Sequence, residues 1–455
     1  MEVTKKQSLL LINPVNQSRT GFSQDSVSKM PPLALGMVAA CTPDTWKVRI
    51  MDENFQKAWY RPADLVGLTA YTQNASRAYE VAALYRAKGV PVVMGGIHAS
   101  MMPEEALQYV DAVVIGEAEL VWGKVLADFE AGNLQRIYKG EGYADLKTIP
   151  HARHDLFHPS YWYRTIQTSR GCPYDCDFCT VTAFNGRIYR QRPVEDVLDE
   201  LEKNLGKFKS VIFADDNLVG QNKRQRDNAL KLFKGIVERG LKFQWFTQVT
   251  VDIAEDDEIL EWAAKSGCKI LLVGIEAETT EGLDYMNKTV NKRKGGIAYY
   301  KKAFNKINKH GIAVLGTFIL GLETDTAQDI RNRADFIVKS RVDGVQCSIL
   351  TPFPGTKLYN RMKADGRIAC TNFPEDWNHF RFMDLAFYHP KMETEELVDE
   401  IEKAWRKIYK PSFLYFKFFL TLWKTKSIAA AYWSFFSNFR YRRDVLQVPV
   451  RRNFS

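Results

Sequence analysis

Short apolar runs alternate with helical stretches over the first 145 residues. Runs at 8–12, 47–51, 65–69, 91–94 and 112–115 predict strands, and 32–40, 74–87 and 117–130 predict helices. Strands that are apolar on both faces and separated by helices indicate a parallel sheet covered on both sides, a doubly wound, Rossmann-like α/β domain over 1–145. In such a sheet the ligand sits at the carboxyl ends of the strands. Residues 146–162 hold two prolines and three histidines with little periodicity, which predicts a linker. A second alternation follows over 163–385, with strands near 163–168, 210–214, 243–248, 269–275, 312–319 and 344–350. One of its helices opens at Pro193 and repeats Val194, Val197, Leu198, Leu201 and Leu205 on one face. Six βα units close only part of a barrel, and the chemistry of such barrels lies at the strands' C-terminal ends. Residues 386–455 form a helical extension, amphipathic over 395–409 and then dense in aromatics.

The chain has 455 residues, 45% of them hydrophobic and 26% charged, a balance that excludes a disordered or low-complexity protein. Its net charge of +9 would suggest a nucleic-acid partner if it were spread over the body. However, residues 406–455 hold 11 Lys/Arg against one acid, Asp444, which leaves −1 for the remainder. The body is therefore neutral and no nucleic-acid partner is expected. No apolar run approaches the roughly 18 to 20 residues of a membrane span, the nearest, 413–423, being interrupted by Lys417. The run Leu9–Leu10–Leu11–Ile12 is too short for a signal peptide, so a cytoplasmic protein is expected. Cys41, Cys268, Cys347 and Cys370 lie apart in apolar surroundings and read as small buried hydrophobes.

The other three cysteines, Cys172, Cys176 and Cys179, crowd one loop just after the first strand of the second alternation. Three thiolates on one loop can hold three irons of a 4Fe-4S cube and leave the fourth iron open to a chelating substrate. A zinc site completed by His151, His154 or His158 is the alternative. The C-x3-C-x-Φ-C spacing, with Phe178 before the last cysteine and six βα units, resembles the radical S-adenosylmethionine (SAM) superfamily. That resemblance implies a 4Fe-4S cluster on the three cysteines, SAM chelated to its free iron, and a 5′-deoxyadenosyl radical formed by one-electron reduction. It also implies a reductase such as flavodoxin or ferredoxin as partner. By strand position it places SAM near Phe178, near Asp215 or Asp216 after the second barrel strand, near Gln248 after the third, and near Glu276 after the fourth. The superfamily's Gly-Gly-Glu is absent, so the carboxylate for the SAM ammonium stays open between Asp215 and Asp216. For each of these positions an ordinary capping role is the competing reading.

In the first domain, Gly95-Gly96-Ile97-His98 and Ile115-Gly116-Glu117 put glycines at the ends of successive strands, where backbone can approach a large flat ligand. No dinucleotide or P-loop fingerprint occurs. With Leu65–Thr69 and the adjoining barrel, these segments resemble the cobalamin-binding domain of cobalamin-dependent radical SAM enzymes, the class that includes hopanoid methylases and magnesium-protoporphyrin monomethyl ester cyclase. The resemblance implies cobalamin near Asp52, Asn54, Thr69, Gly95, Gly96, His98, Gly116 and Glu117. The class's D-x-H-x-x-G reads Asp52-Glu53-Asn54-Phe55-Gln56-Lys57 here, so a corrinoid would be held without an imidazole ligand. The expected activity is methylation of an unactivated carbon on a hydrophobic small molecule or lipid. The alternatives are a radical SAM cyclase or rearrangement enzyme that does not use cobalamin, and a non-enzymatic iron-sulfur or zinc protein on RNA. Tyr71, Thr72, His98 and the aromatics near the tail are candidates to line a substrate space. The basic, aromatic tail reads either as helices resting on an anionic membrane surface or as a cap packed on the barrel.

Overall fold

The computed structural model describes residues 6–16, 29–206, 208–292 and 296–454. Its first sheet contains β1 (Gln7–Asn13), β2 (Trp46–Asp52), β3 (Leu65–Thr69), β4 (Val92–Gly95), β5 (Ala112–Ile115) and β6 (Ile137–Lys139). All neighbours are parallel and the order is β2-β1-β3-β4-β5-β6. Alternation along β1 explains the two layers: Leu9 and Leu11 pack with Leu35 and Trp122 on one face, Leu10 and Ile12 with Val66 and Tyr85 on the other. Strand order reverses between β1 and β3, which places the ligand crevice at that point. β6 lies outside the sequence expectation because only Tyr138 of its three residues is buried. The helix expected over 117–130 begins only at Trp122, because Gly116 takes φ +82° and Glu117 stays extended.

The second sheet contains β7 (Arg164–Ile166), β10 (Ser210–Phe213), β11 (Gln244–Val249), β12 (Cys268–Glu276), β13 (Ala313–Leu320) and β14 (Gly344–Ile349). A two-stranded antiparallel ribbon, β8 (Ser169–Arg170) with β9 (Arg190–Gln191), follows β7. The six strands of this sheet are parallel and pair in chain order, so β7 and β14 are the edges of an incomplete (βα)6 barrel. An open edge leaves backbone groups unpaired, and here the C-terminal helices satisfy them. From the helix Thr394–Ile408 and the residue after it, Trp405 Nε1 donates to Cys347 O (3.1 Å) and Tyr409 bridges Val345 O and Cys347 N. From Ile428–Gln447, Asn438 accepts from Val345 N (3.0 Å) and donates to Asp343 O (2.9 Å). The extension therefore covers the open β14 edge of the barrel.

The two sheets share a core. Tyr359, Trp377 and Phe380, which follow β14, pack into the layer over the first sheet. Residues 146–162 pack against both domains as well. Phe157 lies against Gly36, where a Cβ would come within 2.5 Å of the ring, and His154 bonds Glu200 at 2.8 Å.

Candidate active site between the two sheets

The cysteine loop is held in place by its own backbone. Gly171, just after β8, has φ +86°, and a Cβ there would lie 2.1 Å from Ile188 O, so only glycine fits. The Cys179 N–H closes a turn onto Cys176 O (3.1 Å), and Cys172, Cys179 and Phe178 pack beside Tyr174, Cys176 and Val290. Burial pushes the Cys172 thiol up to about 11 and the Cys176 thiol up to about 12, and raises Cys179 too. Thiols in such a pocket need positive charge to ionise, which cluster irons supply. Among the described residues no three His, Cys, Asp or Glu side chains converge on a point fit for one ion. The linker histidines are engaged elsewhere: His151 with Asp196, His154 with Glu200, and His158 stacked 3.9 Å from Phe55. The three cysteines thus fit the corners of a cluster better than a Cys/His zinc site.

One cation does reach the loop, and no motif announced it. Lys288 bonds Glu276 Oε1 (3.1 Å) with its side chain about one-tenth exposed, and its charge favours ionisation of all three thiols. Although burial opposes it, the Glu276 carboxylate holds this ammonium protonated. The segment is clasped to the cysteine loop: Asp177 N donates to Met286 O (3.1 Å) and Asn287 Nδ2 to Asp175 O (2.7 Å). Asn291, buried below, donates to Gly274 O (2.9 Å) and Ile275 O (3.0 Å) at the end of β12. Glu276 takes φ +64°, and its other oxygen accepts from Thr317 on β13 (3.1 Å).

The neighbours Asp215 and Asp216 point to different tasks. Asp215 is buried and accepts from Thr168 Oγ1 (2.8 Å), Ser169 Oγ (2.5 Å) and the Thr168 N–H, and burial pushes its carboxyl up to about 6. Asp216 accepts from Gly171 N (2.9 Å), and its charge is felt at Cys172, Cys179 and Tyr71. Asp215 fastens the strand end, and Asp216 faces the cluster loop. Next to them Asn217 is buried with neither side-chain atom partnered. Along β11, Trp245 packs outward on Phe233, so alternation turns exposed Gln248 to the barrel interior.

The first sheet presents its carboxyl ends to this loop. The helix Ile97–Met101, after β4, packs on Thr180–Asn185, the helix after Cys179. Tyr71, after β3, is 68% exposed, yet protein crowds it closely enough that burial raises its phenol, with Asp216 adding to the shift. Its phenol is thus exposed and within electrostatic reach of Asp216 beside the cysteine loop. Gly116 has no atom within 4 Å of a built Cβ, and half-buried Gly95 lies beside Val114, so the ends of β4 and β5 leave room for a flat ligand. At Gly96 a Cβ would press within 2.5 Å of Thr69 Oγ1.

Four residues of the expected corrinoid set, Asp52, Asn54, His98 and Glu117, have other partners. Asn54 donates to the Tyr161 hydroxyl (3.2 Å), which donates in turn to Asp52, so position 54 is tied to the linker. His98 is wholly buried, its Nε2 3.0 Å from the Tyr79 hydroxyl and 3.4 Å from Glu105, which also accepts from Trp377. Glu117 receives Arg170 (2.8 Å) and Arg190 (2.9 Å), which outweigh burial and hold its carboxyl below the usual range. This node joins the first sheet to the strand that leads into Cys172. The site thus suits a corrinoid seated on the glycine ends with no side-chain ligand from position 54.

Comparison with known proteins agrees with this geometry. The B12 binding domain matches residues 23–125, the radical SAM superfamily residues 166–337, and a domain of unknown function, DUF4070, residues 356–448. Bacteriochlorophyllide d C-12(1)-methyltransferase of Chlorobaculum tepidum is 30% identical over 90% of this chain and 89% of that protein. Hopanoid C-2 methylase of Rhodopseudomonas palustris is 29% identical over 76% of this chain and 66% of its own. The cobalamin-dependent SAM radical enzyme OxsB, solved with aqua-cobalamin and SAM bound, shares the fold with a TM-score of 0.70 at 14% identity, over 90% of this chain and 68% of its own.

Proposed function

Because the chain belongs to the family of radical SAM enzymes that carry a B12-binding domain, we propose that it methylates an unactivated carbon on a hydrophobic, largely flat small molecule of the tetrapyrrole or polycyclic lipid kind. The observation that carries this reading is the nearness of two strand-end sites: the cysteine loop with Asp216 and Lys288, and the glycine ends of β4 and β5 with Tyr71, joined where Ile97–Met101 packs on Thr180–Asn185. When bound, a cluster with SAM supplies one-electron cleavage and hydrogen abstraction, and a corrinoid supplies the methyl group. Cys172, Cys176 and Cys179 would hold the cluster, with Phe178 packed behind them. Asp216 is the carboxylate free to accept from the SAM ammonium, since Asp215 is saturated by Thr168 and Ser169. Gln248 and Glu276 face the interior where the remainder of SAM would lie. The exposed Tyr71 ring gives a flat substrate an aromatic wall. The names of two relatives, which methylate a bacteriochlorophyllide and a hopanoid, support a large apolar substrate. A flavodoxin or ferredoxin would deliver the electron.

The test is anaerobic reconstitution with iron, sulfide and cobalamin, followed by removal of unbound corrinoid. The expected product shows a broad iron-sulfur absorption and about one corrinoid per chain, and with a one-electron reductant such as dithionite or reduced flavodoxin added it cleaves SAM to methionine and 5′-deoxyadenosine. Cys172→Ala should abolish that cleavage and Asp216→Asn should weaken SAM binding. Cleavage that survives Cys172→Ala would overturn the cluster assignment, and an iron-sulfur spectrum without corrinoid would overturn methyl transfer.

A further inference from the structure

The C-terminal hairpin is built inside out. The helices Pro411–Thr425 and Ile428–Gln447 turn Lys417, Thr421, Thr425, Ser434 and Asn438 inward, all buried, while large aromatics face solvent. Trp423 is 76% exposed and Phe419 65%, and Tyr415, Phe416, Tyr432 and Phe436 are exposed beside them. A surface helix of a globular protein ordinarily shows the reverse pattern. The aromatics form one patch across both helices, with Tyr415 and Phe418 each within 5.5 Å of Phe435 and Tyr432 4.4 Å from Phe436. Contiguous exposed apolar patches of this kind mark interaction surfaces.

Charge decides the occupant. From residue 410 to residue 443 the chain carries seven Lys/Arg and no Asp or Glu, and Lys410, Lys426 and Arg443 are exposed at the ends of the hairpin. A second copy docked by the same face would set those cations against their own kind, which is costly. Among the described residues no helix is long and apolar enough to cross a bilayer. Aromatic side chains with cations around them match the headgroup level of an anionic bilayer, where rings seat at the interface and cations meet phosphate. We propose that this hairpin docks the protein onto an anionic lipid bilayer surface. The inference stands on the C-terminal helices alone and does not depend on methyl transfer.

The experiment is sedimentation of the full chain with vesicles of phosphatidylcholine, with and without phosphatidylglycerol. Binding is expected on the phosphatidylglycerol vesicles and should weaken as salt rises. The triple variant Phe419→Ser/Trp423→Ser/Phe436→Ser should bind about tenfold less or worse while keeping the native melting temperature. The variant Lys410→Glu/Lys426→Glu, whose altered side chains are all exposed, should lose the preference for anionic lipid. The proposal is overturned if the native chain stays in the supernatant with phosphatidylglycerol vesicles, or if both variants sediment as the native chain does. It is also overturned if light scattering shows a dimer that the triple variant dissolves, because the patch would then be covered by a second copy.

Discussion

Lys417 sits on the inner face of the hairpin with its Nζ unpartnered, 5.0 Å from the centre of the Phe413 ring. Burial pushes its ammonium down to about 7, against the opposing pull of Asp343. Between that value and the ordinary lysine range near 10.4 the unfolded chain binds more protons than the folded one, so this residue makes stability rise with pH across that window. Below pH 7 both states carry the proton and the whole cost of a buried charge is present. Lys417→Met should therefore raise the melting temperature most at pH 7 and below, with a gain that shrinks as pH climbs towards 10. Calorimetry over that range checks it, and a pH-independent gain would point to packing instead of charge. Individual residues were unevenly legible from sequence. The three cysteines announce their chemistry by spacing, because their partner is a group of fixed size. Lys288 lies in no motif, since its place over the loop depends on a clasp between segments 112 residues apart. The choice between Asp215 and Asp216 is also invisible in sequence, because adjacent side chains at a strand end point to opposite sides.

The elements that pattern predicts best are strands buried on both faces, such as Leu65–Thr69 and Ala313–Leu320, which need an apolar residue at nearly every position. Elements fixed by one or two contacts are poorly signed, as with β6 and the late start of the helix at Trp122. The protection of β14 belongs to the same group, for nothing in the run around Asn438 says that its amide pairs with an edge strand. Asn438→Ala would strand the Val345 N–H and leave Asp343 O without that donor. The expected cost is about 1–3 kcal/mol, read as a lower urea midpoint with an unchanged slope. An unchanged midpoint would mean that water replaces the amide and that Trp405, Tyr409 and the Phe382 carbonyl suffice to seal the edge.

At the scale of the whole molecule, the two sheets act as one device because ion pairs and packing cross between them. Glu117 is the centre of that coupling, bridging β5 to the arginines before and after the cysteine loop. Glu117→Ala leaves Arg170 and Arg190 short of a counter-charge in a buried setting, a change that typically costs about 3–5 kcal/mol. The variant is expected to melt earlier and to retain less iron after anaerobic reconstitution, although it alters no cysteine. Iron content equal to that of the native protein would show that the loop holds its shape without the first domain. The division into a doubly wound sheet and a partial barrel is readable from alternation alone, but the way they face each other is not, since it is written in single long-range pairs. Those pairs also impose a timetable. The cover of the cysteine loop comes from far downstream, with Lys357 meeting Asp175 across 182 positions. A ribosome adding about 5–20 residues per second needs on the order of ten seconds or more to make that stretch. Throughout that interval the nascent thiols have no lid, so oxygen can damage the protein before it ever holds a cluster, and iron loading falls to the finished chain.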